Sequence, residues 1–228
     1  MHLLLIAAIV IGLAWAPQWW ARRTFRRYSR PLERIPGSGG ELARHLLDRF
    51  ELSDVGVEET TDGDHYDPAT RTVRLTPDNF RQRSLTAVAV AAHEVGHALQ
   101  HARNEPRFHL RTQLVQLSRS AQQLGAIAMF AVPLIMAVTH RPQAGILLVL
   151  IGLLSMGSAT LVHLVTLPVE LDASFGKALP ILRDGGYIEK KDRRAIERIL
   201  RAAAMTYVAA SLASLLNVGR WIAMLRRG

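Results

Sequence analysis

Ala91-Ala92-His93-Glu94-Val95-Gly96-His97-Ala98-Leu99-Gln100 is the stretch on which the reading of this chain turns. It lies inside a run that is apolar through Leu85, Val88, Val90 and a series of alanines. Ser84 precedes the run as an N-cap, so a largely buried helix is predicted from Ser84 to about Arg103. Residues four apart share a helix face, so His93 and His97 can both reach one metal ion. Glu94 follows His93 by about 100° of helix rotation. That sets its carboxylate beside such an ion, where it can accept a proton from an attacking water. With 9 His and 10 Glu in 228 residues, random placement gives about 0.016 matches to H-E-x-x-H. The spacing therefore predicts one zinc ion per chain, since zinc takes imidazole and carboxylate ligands and acidifies bound water.

A catalytic zinc site needs a third protein ligand and one open position. The metzincin spacing asks for Gly at 100 and His at 103, where this chain has Gln100 and Arg103. His101 lies two turns from His93, too far along the axis. Among the later carboxylates, Glu105 is close in sequence but sits in a Pro-containing turn. Glu170 and Asp172 begin the segment that follows a long apolar run. Glu170 as ligand would make the site a gluzincin, and Asp172 would resemble site-2-type intramembrane proteases. Glu170 is favoured, with Asp172 and Glu105 as alternatives.

Three apolar stretches approach the roughly 20 residues that a bilayer demands: residues 3–21, 124–139 and 144–169. The link from His140 to Gln143 is so short that the second and third form an antiparallel hairpin. The first reads as an anchor rather than a cleaved signal, because no basic region precedes it. Trp15, Trp19 and Trp20 fit an interfacial belt. Arg22, Arg23, Arg26, Arg27 and Arg30 follow, so the positive-inside rule puts the chain after residue 21 in the cytoplasm. The hairpin leaves and returns, which puts the residues after 169 there as well. Residues 202–219 read as a packed or interfacial helix, with a fourth span as the alternative. That span would carry Arg226 and Arg227 outward, against the charge rule.

Composition agrees. Hydrophobic residues make up 49%, mean hydropathy is +0.12, and the net charge of +9 is carried almost wholly by arginine. With no cysteine, disulfides, thiolate metal sites and Cys nucleophiles are excluded. The basic collar reads as a topology and anionic-lipid signal. No nucleic-acid partner is expected, because no aromatics interleave with the arginines in a recognition module.

Four regions follow: an anchor with basic collar (1–30), a part carrying the H-E-x-x-H helix (31–120), the hairpin (121–169) and a C-terminal helical part with the third ligand (170–228). Residues 31–40 read as a Pro/Gly linker, and residues 41–50 as an amphipathic helix. His65-Tyr66 and the stretch Arg71–Leu75 read as a strand pair around Asp67-Pro68-Ala69-Thr70. The expected fold is mainly α with a small β-sheet: a zincin-like (gluzincin) domain fused to transmembrane helices. Val73, Arg74 and Leu75 are candidates for an edge strand that pairs with an extended peptide. Asp172 could orient a ligand, and His163 or Tyr187 could stabilise an oxyanion.

Leu167-Pro168-Val169-Glu170-Leu171-Asp172-Ala173-Ser174 resembles the L-P-V-E-F-D-A-S stretch of the YugP-like neutral zinc metallopeptidases of bacterial membranes. His65-Tyr66-Asp67-Pro68, Arg83-Ser84-Leu85, the segment around His93–Ala98 and Ala203-Ala204-Met205-Thr206-Tyr207 agree too, so the resemblance covers most of the chain. It implies a zinc peptidase of the bacterial inner membrane, with His93, His97 and Glu170 as ligands and Glu94 as base. The arrangement is also similar to the HtpX-like and CAAX prenyl proteases. Many gluzincins carry E-x-x-x-D; here the fourth residue after Glu170 is Ser174, and the Asp comes two after it. A protein or peptide substrate, unfolded or membrane-embedded, and membrane lipid are the implied partners. The competing reading is a non-catalytic zinc-binding membrane protein: a sensor, a transporter or a pseudo-protease. The intact Glu94 argues against it.

Overall fold

Ser84 opens the central helix, as its sequence predicts: its backbone is extended and its side-chain oxygen accepts from the Ala87 N–H at 3.1 Å. The computed structural model describes residues 2–140 and 142–225. Met1, Arg141, Arg226, Arg227 and Gly228 lie outside it, including the arginine pair weighed for a fourth span. The elements in chain order are α1 (His2–Tyr28), α2 (Gly39–Arg49), β1 (Gly56–Glu59), β2 (His65–Asp67), β3 (Thr72–Leu75), α3 (Pro77–Arg81), α4 (Leu85–Ala102), α5 (Pro106–Thr139), α6 (Pro142–Leu171), a π-helical segment (Asp172–Ala178), α7 (Leu179–Asp184) and α8 (Arg193–Leu225). The fold is mainly helical with one small sheet, as expected.

The chain divides into two compact units, Pro17–His109 with Pro168–Thr206, and Met1–Ala16 with Leu110–Leu167 and Tyr207–Gly228. In the first, α4 is buried on nearly every face. Its core partners include Leu46 and Leu47 of α2, Val73 and Leu75 of β3, Leu182 of α7, and Ile196, Ile199 and Leu200 of α8. Each such side chain contributes about 1.5–3 kcal/mol of burial, so α4 is fixed by packing rather than by propensity. Residues 31–40 are only partly a linker. Ser38 makes a reciprocal capping box with Glu41, and Gly39 and Gly40 form the first turn of α2. A Cβ at either would meet the backbone or ring of Asn79 and Phe80, so glycine here permits close packing of α2 on α3.

The sheet order is β1-β3-β2. β2 pairs antiparallel with β3, with Tyr66 opposite Val73. β1 pairs parallel with β3, with Val57 also opposite Val73. This corrects the reading of Val73, Arg74 and Leu75 as an edge strand. β3 is central, and both its backbone edges are taken by β1 and β2, so no peptide can pair with it. Asp67 fixes the β2–β3 turn by accepting from the Ala69 N–H and the Thr70 hydroxyl, both at 2.9 Å.

The second unit is built the other way round. Large apolar side chains on α5 (Leu124, Ile127, Phe130, Leu134, Val138) and α6 (Leu147, Leu150, Ile151, Leu154) are exposed, Phe130 at 91%. Small residues face inward: a Cβ on Gly125 would collide with Ser155. The Ser118 and Ser158 hydroxyls hydrogen-bond at 3.1 Å, and Gln122 donates to Ser118 at 2.9 Å. Among the described residues no single helix is long and apolar enough to cross a membrane. Pro106–Ala128 and Phe130–Thr139 pass together, bent by 42°. Pro133 explains the bend, because its ring crowds the carbonyl four residues back, at 129.

Ser84→Ala removes the cap of α4 and is expected to cost about 1 kcal/mol. The measurement is the denaturant midpoint of the detergent-purified chain; an unchanged midpoint would mean the cap is idle.

Candidate metal centre

His93 and His97 stand one turn apart on α4, their rings 4.7 Å between centroids. Glu170, in the last turn of α6, places Oε2 at 3.2 Å from His93 Nε2 and at 3.2 Å from His97 Nε2. These are the residues among those described that could hold a metal, with one donor atom from each within 4.8 Å of the others. Four donors about 2.0–2.1 Å from a tetrahedral zinc lie about 3.3 Å from one another. The two His–Glu170 separations match that edge length and the donors all lie within 4.8 Å of one another, so the set can hold the ion by size as well as by chemistry. Exposure falls from 12% for the His93 side chain to 5% for His97 and 1% for Glu170. The centre is therefore reached from the His93 side.

Two local features bring Glu170 to α4. Gly96 is the first: a Cβ there would lie 2.8 Å from the Ala173 carbonyl oxygen, so the glycine lets the backbone after Glu170 press directly on the helix. The second is the π-helical segment itself, whose wider turn closes from the Leu179 N–H to the Ser174 carbonyl, five residues back. Such segments often mark functional positions.

The outward nitrogens of both rings are also held. Ser174 Oγ lies 3.1 Å from His93 Nδ1, and Gln100 Oε1 lies 2.9 Å from His97 Nδ1. Ser174 thus occupies the place where the E-x-x-x-D pattern carries aspartate. Asp172 touches neither ring and instead accepts from Gln100 Nε2 at 2.8 Å and pairs with Lys177. Gln100, Ser174 and Lys177 were not singled out from the sequence. Gln100 and Ser174 were nevertheless one turn beyond His97 and Glu170, and that spacing was the available signal.

Glu94 is buried. Burial pushes its carboxyl up to about 7, with Glu170 and Asp64 adding to the rise; His93 and the Tyr66 backbone N–H, which donates to it, oppose the rise. Burial also works against ionised Glu170, but the His97 and His93 imidazoles overcome it and hold Glu170 well below the ordinary glutamate range. Two neighbouring carboxyls are thus driven apart, one ionised between the rings and one able to exchange a proton near neutrality. Asp64 accepts from the Thr76 N–H at 2.7 Å, the Thr76 hydroxyl at 3.0 Å and Asn79 Nδ2 at 2.8 Å, which anchors β2 beside Glu94.

The other candidates have other surroundings. Glu105 pairs with Lys177 at 2.9 Å. The Tyr187 hydroxyl accepts from Arg49 at 2.8 Å and bonds His45 Nε2 at 2.8 Å. His163 is half-buried on α6 in the other unit. His101 stacks on Phe108, and its Nδ1 bonds the Tyr66 hydroxyl at 2.8 Å.

A family model described as "Putative neutral zinc metallopeptidase" matches residues 2–226. The "Putative membrane protease YugP" of Bacillus subtilis (strain 168) is 33% identical over 230 residues, covering 100% of this chain and 98% of that protein. No solved structure matches.

Gly96→Ala gains about 1 kcal/mol of helix propensity but forces a methyl against the Ala173 carbonyl, an overpacking cost of about 1–3 kcal/mol. We expect a net loss of stability together with weaker zinc binding, read by thermal unfolding and zinc titration. A stabilised variant with intact zinc binding would refute the close-contact reading.

Proposed function

The chain belongs to the family described as "Putative neutral zinc metallopeptidase", and from that membership we propose that it is a membrane-bound zinc metalloendopeptidase of the gluzincin type. The observation that carries the reading is the convergence of His93 Nε2, His97 Nε2 and Glu170 Oε2 at zinc-edge spacing beside the buried Glu94. A zinc ion held there supplies a Lewis acid that polarises the scissile carbonyl and acidifies the attacking water.

Glu94 takes the proton from the attacking water and returns it to the leaving amine nitrogen. Its burial beside the ligand set keeps the carboxylate next to the water it would deprotonate. The Tyr66 backbone N–H donates to Glu94, and β2 is an outer strand of the sheet. β2, rather than β3, is thus the strand whose edge can pair with an extended peptide next to Glu94. Ser174 and Gln100 bond the two ligand rings, and Asp172 holds Gln100.

We read the chain as multi-pass, with the centre facing the cytoplasm. The exposed apolar stripes of α5 and α6, with glycines and hydroxyls between the helices, follow the packing logic of membrane helices, where lipid is as apolar as leucine. On α1, Trp15 and Trp19 are exposed at 70% and 61%, and Arg23 lies over the Trp19 ring at 5.4 Å, as expected of an interfacial collar. The relative from Bacillus subtilis is called a membrane protease. Substrates on this reading are unfolded or membrane proteins, which fits a role in membrane-protein quality control.

Glu94→Gln is expected to lower cleavage of an unfolded model protein by about 10²–10⁴-fold while leaving about one zinc per chain, measured by metal analysis beside the wild type. Equal cleavage by both would remove Glu94 from the mechanism; no cleavage by either, with zinc in both, would favour the non-catalytic reading. The absence of cysteine makes topology directly testable. A single cysteine at Gln143 should react with an impermeant maleimide from outside intact cells, and one at Lys191 only after lysis. The reverse pattern would invert the topology.

A further inference from the structure

The Gln100 side chain is 1% exposed, and each end of its amide has a fixed partner. Nε2 donates to the Val169 carbonyl at 3.0 Å and to Asp172 Oδ2 at 2.8 Å. Oε1 faces His97 Nδ1 at 2.9 Å. The amide cannot be turned over, because its oxygen would then meet a carbonyl and a carboxylate, neither of which donates. An acceptor therefore faces His97 Nδ1, and Nδ1 must carry the proton. That leaves Nε2 as the ring nitrogen available to a cation shared with Glu170 Oε2, 3.2 Å away.

The partner that fixes the amide is itself fixed. Lys177, 8% exposed, pairs with Asp172 and with Glu105 Oε1 at 2.9 Å. A buried ammonium is tolerated only when so paired. Asp172 and Lys177 are five residues apart, the hydrogen-bond step of the π-helical turn, which stacks one over the other. Gly176 leaves the space that the Asp172 carboxylate fills, since a Cβ there would meet Oδ1.

We infer that Gln100 is a positioning residue for the metal: it locks His97 in the Nδ1–H form, and the Asp172–Lys177 pair holds its amide the right way round. The inference rests on the reading of His97 as a zinc ligand. Directionality is what the arrangement adds. A hydroxyl, as at Ser174 against His93, can donate or accept, and so fixes a ring's position without fixing its proton. An amide with both ends committed fixes both.

The test uses the detergent-purified full chain, zinc titrated against a chromophoric chelator, and ¹H–¹⁵N histidine NMR of the zinc-loaded protein. Gln100→Met keeps the volume and removes all three bonds. It is expected to weaken zinc binding by about 10–100-fold and to lose the hydrogen-bonded, slowly exchanging Nδ1–H signal of His97. Asp172→Asn can still accept from Gln100 and should retain more affinity than Asp172→Leu, which cannot. That pair also serves if Gln100→Met fails to fold. Wild-type affinity and an unchanged Nδ1–H signal in Gln100→Met, or equal loss in Asn and Leu at 172, would assign the network to stability alone and overturn the inference. His97→Ala is the separate control: if it binds zinc like the wild type, the ligand reading itself falls, and the inference with it.

Discussion

Everything at the metal centre depends on one close approach of two backbones. The carbonyl of Ala173 rests against α4 at Gly96, where any side chain would hold it off. That contact seats the start of the π-helical segment on the helix of the two histidines. It carries Glu170 into reach of both rings, Ser174 to His93, and Asp172 to Gln100. An approach set by a missing Cβ is a hard constraint: backbone atoms cannot swing aside as a long side chain can. The price of a helical glycine, about 1 kcal/mol relative to alanine, is small beside the geometry it secures.

Burial then gives two carboxyls different roles. Glu170 and Glu94 are both nearly excluded from water, and burial alone would raise both. Glu170 lies between two imidazoles and stays ionised; Glu94 has one backbone N–H and sits near other carboxyls. The difference comes from what surrounds each group, and the surroundings follow from position on α4 or α6.

Much of this was legible in the sequence. The His93–His97 spacing, the Ser84 cap and the apolar faces of α4 are local signals, and helical periodicity expresses them directly. Glu170 was reachable because few carboxylates follow the motif. β1 was not legible. Four residues, Gly56-Val57-Glu58-Glu59, show neither length nor alternation, and their partner lies across a hairpin, in parallel. Missing β1 made β3 look like an edge, and so the wrong strand was offered to the substrate. Gln100 was quoted for what it excludes, because a buried amide reveals its role only when both of its ends have partners, and those partners come from a segment about 70 residues away. The apolar stripes of α5 and α6 were legible only in outline; which face packs and which is exposed needed the structure.

The spacing of the donors along the chain has a consequence for biosynthesis. His97 and Glu170 are 73 residues apart, and the intervening chain holds α5 and nearly all of α6. A ribosome therefore delivers the two histidines first and the glutamate only after the whole hairpin has been made. A half-finished chain carries the two imidazoles and Glu94 without the carboxylate that completes the donor set. The donor set is thus completed late in synthesis, only as the end of α6 emerges.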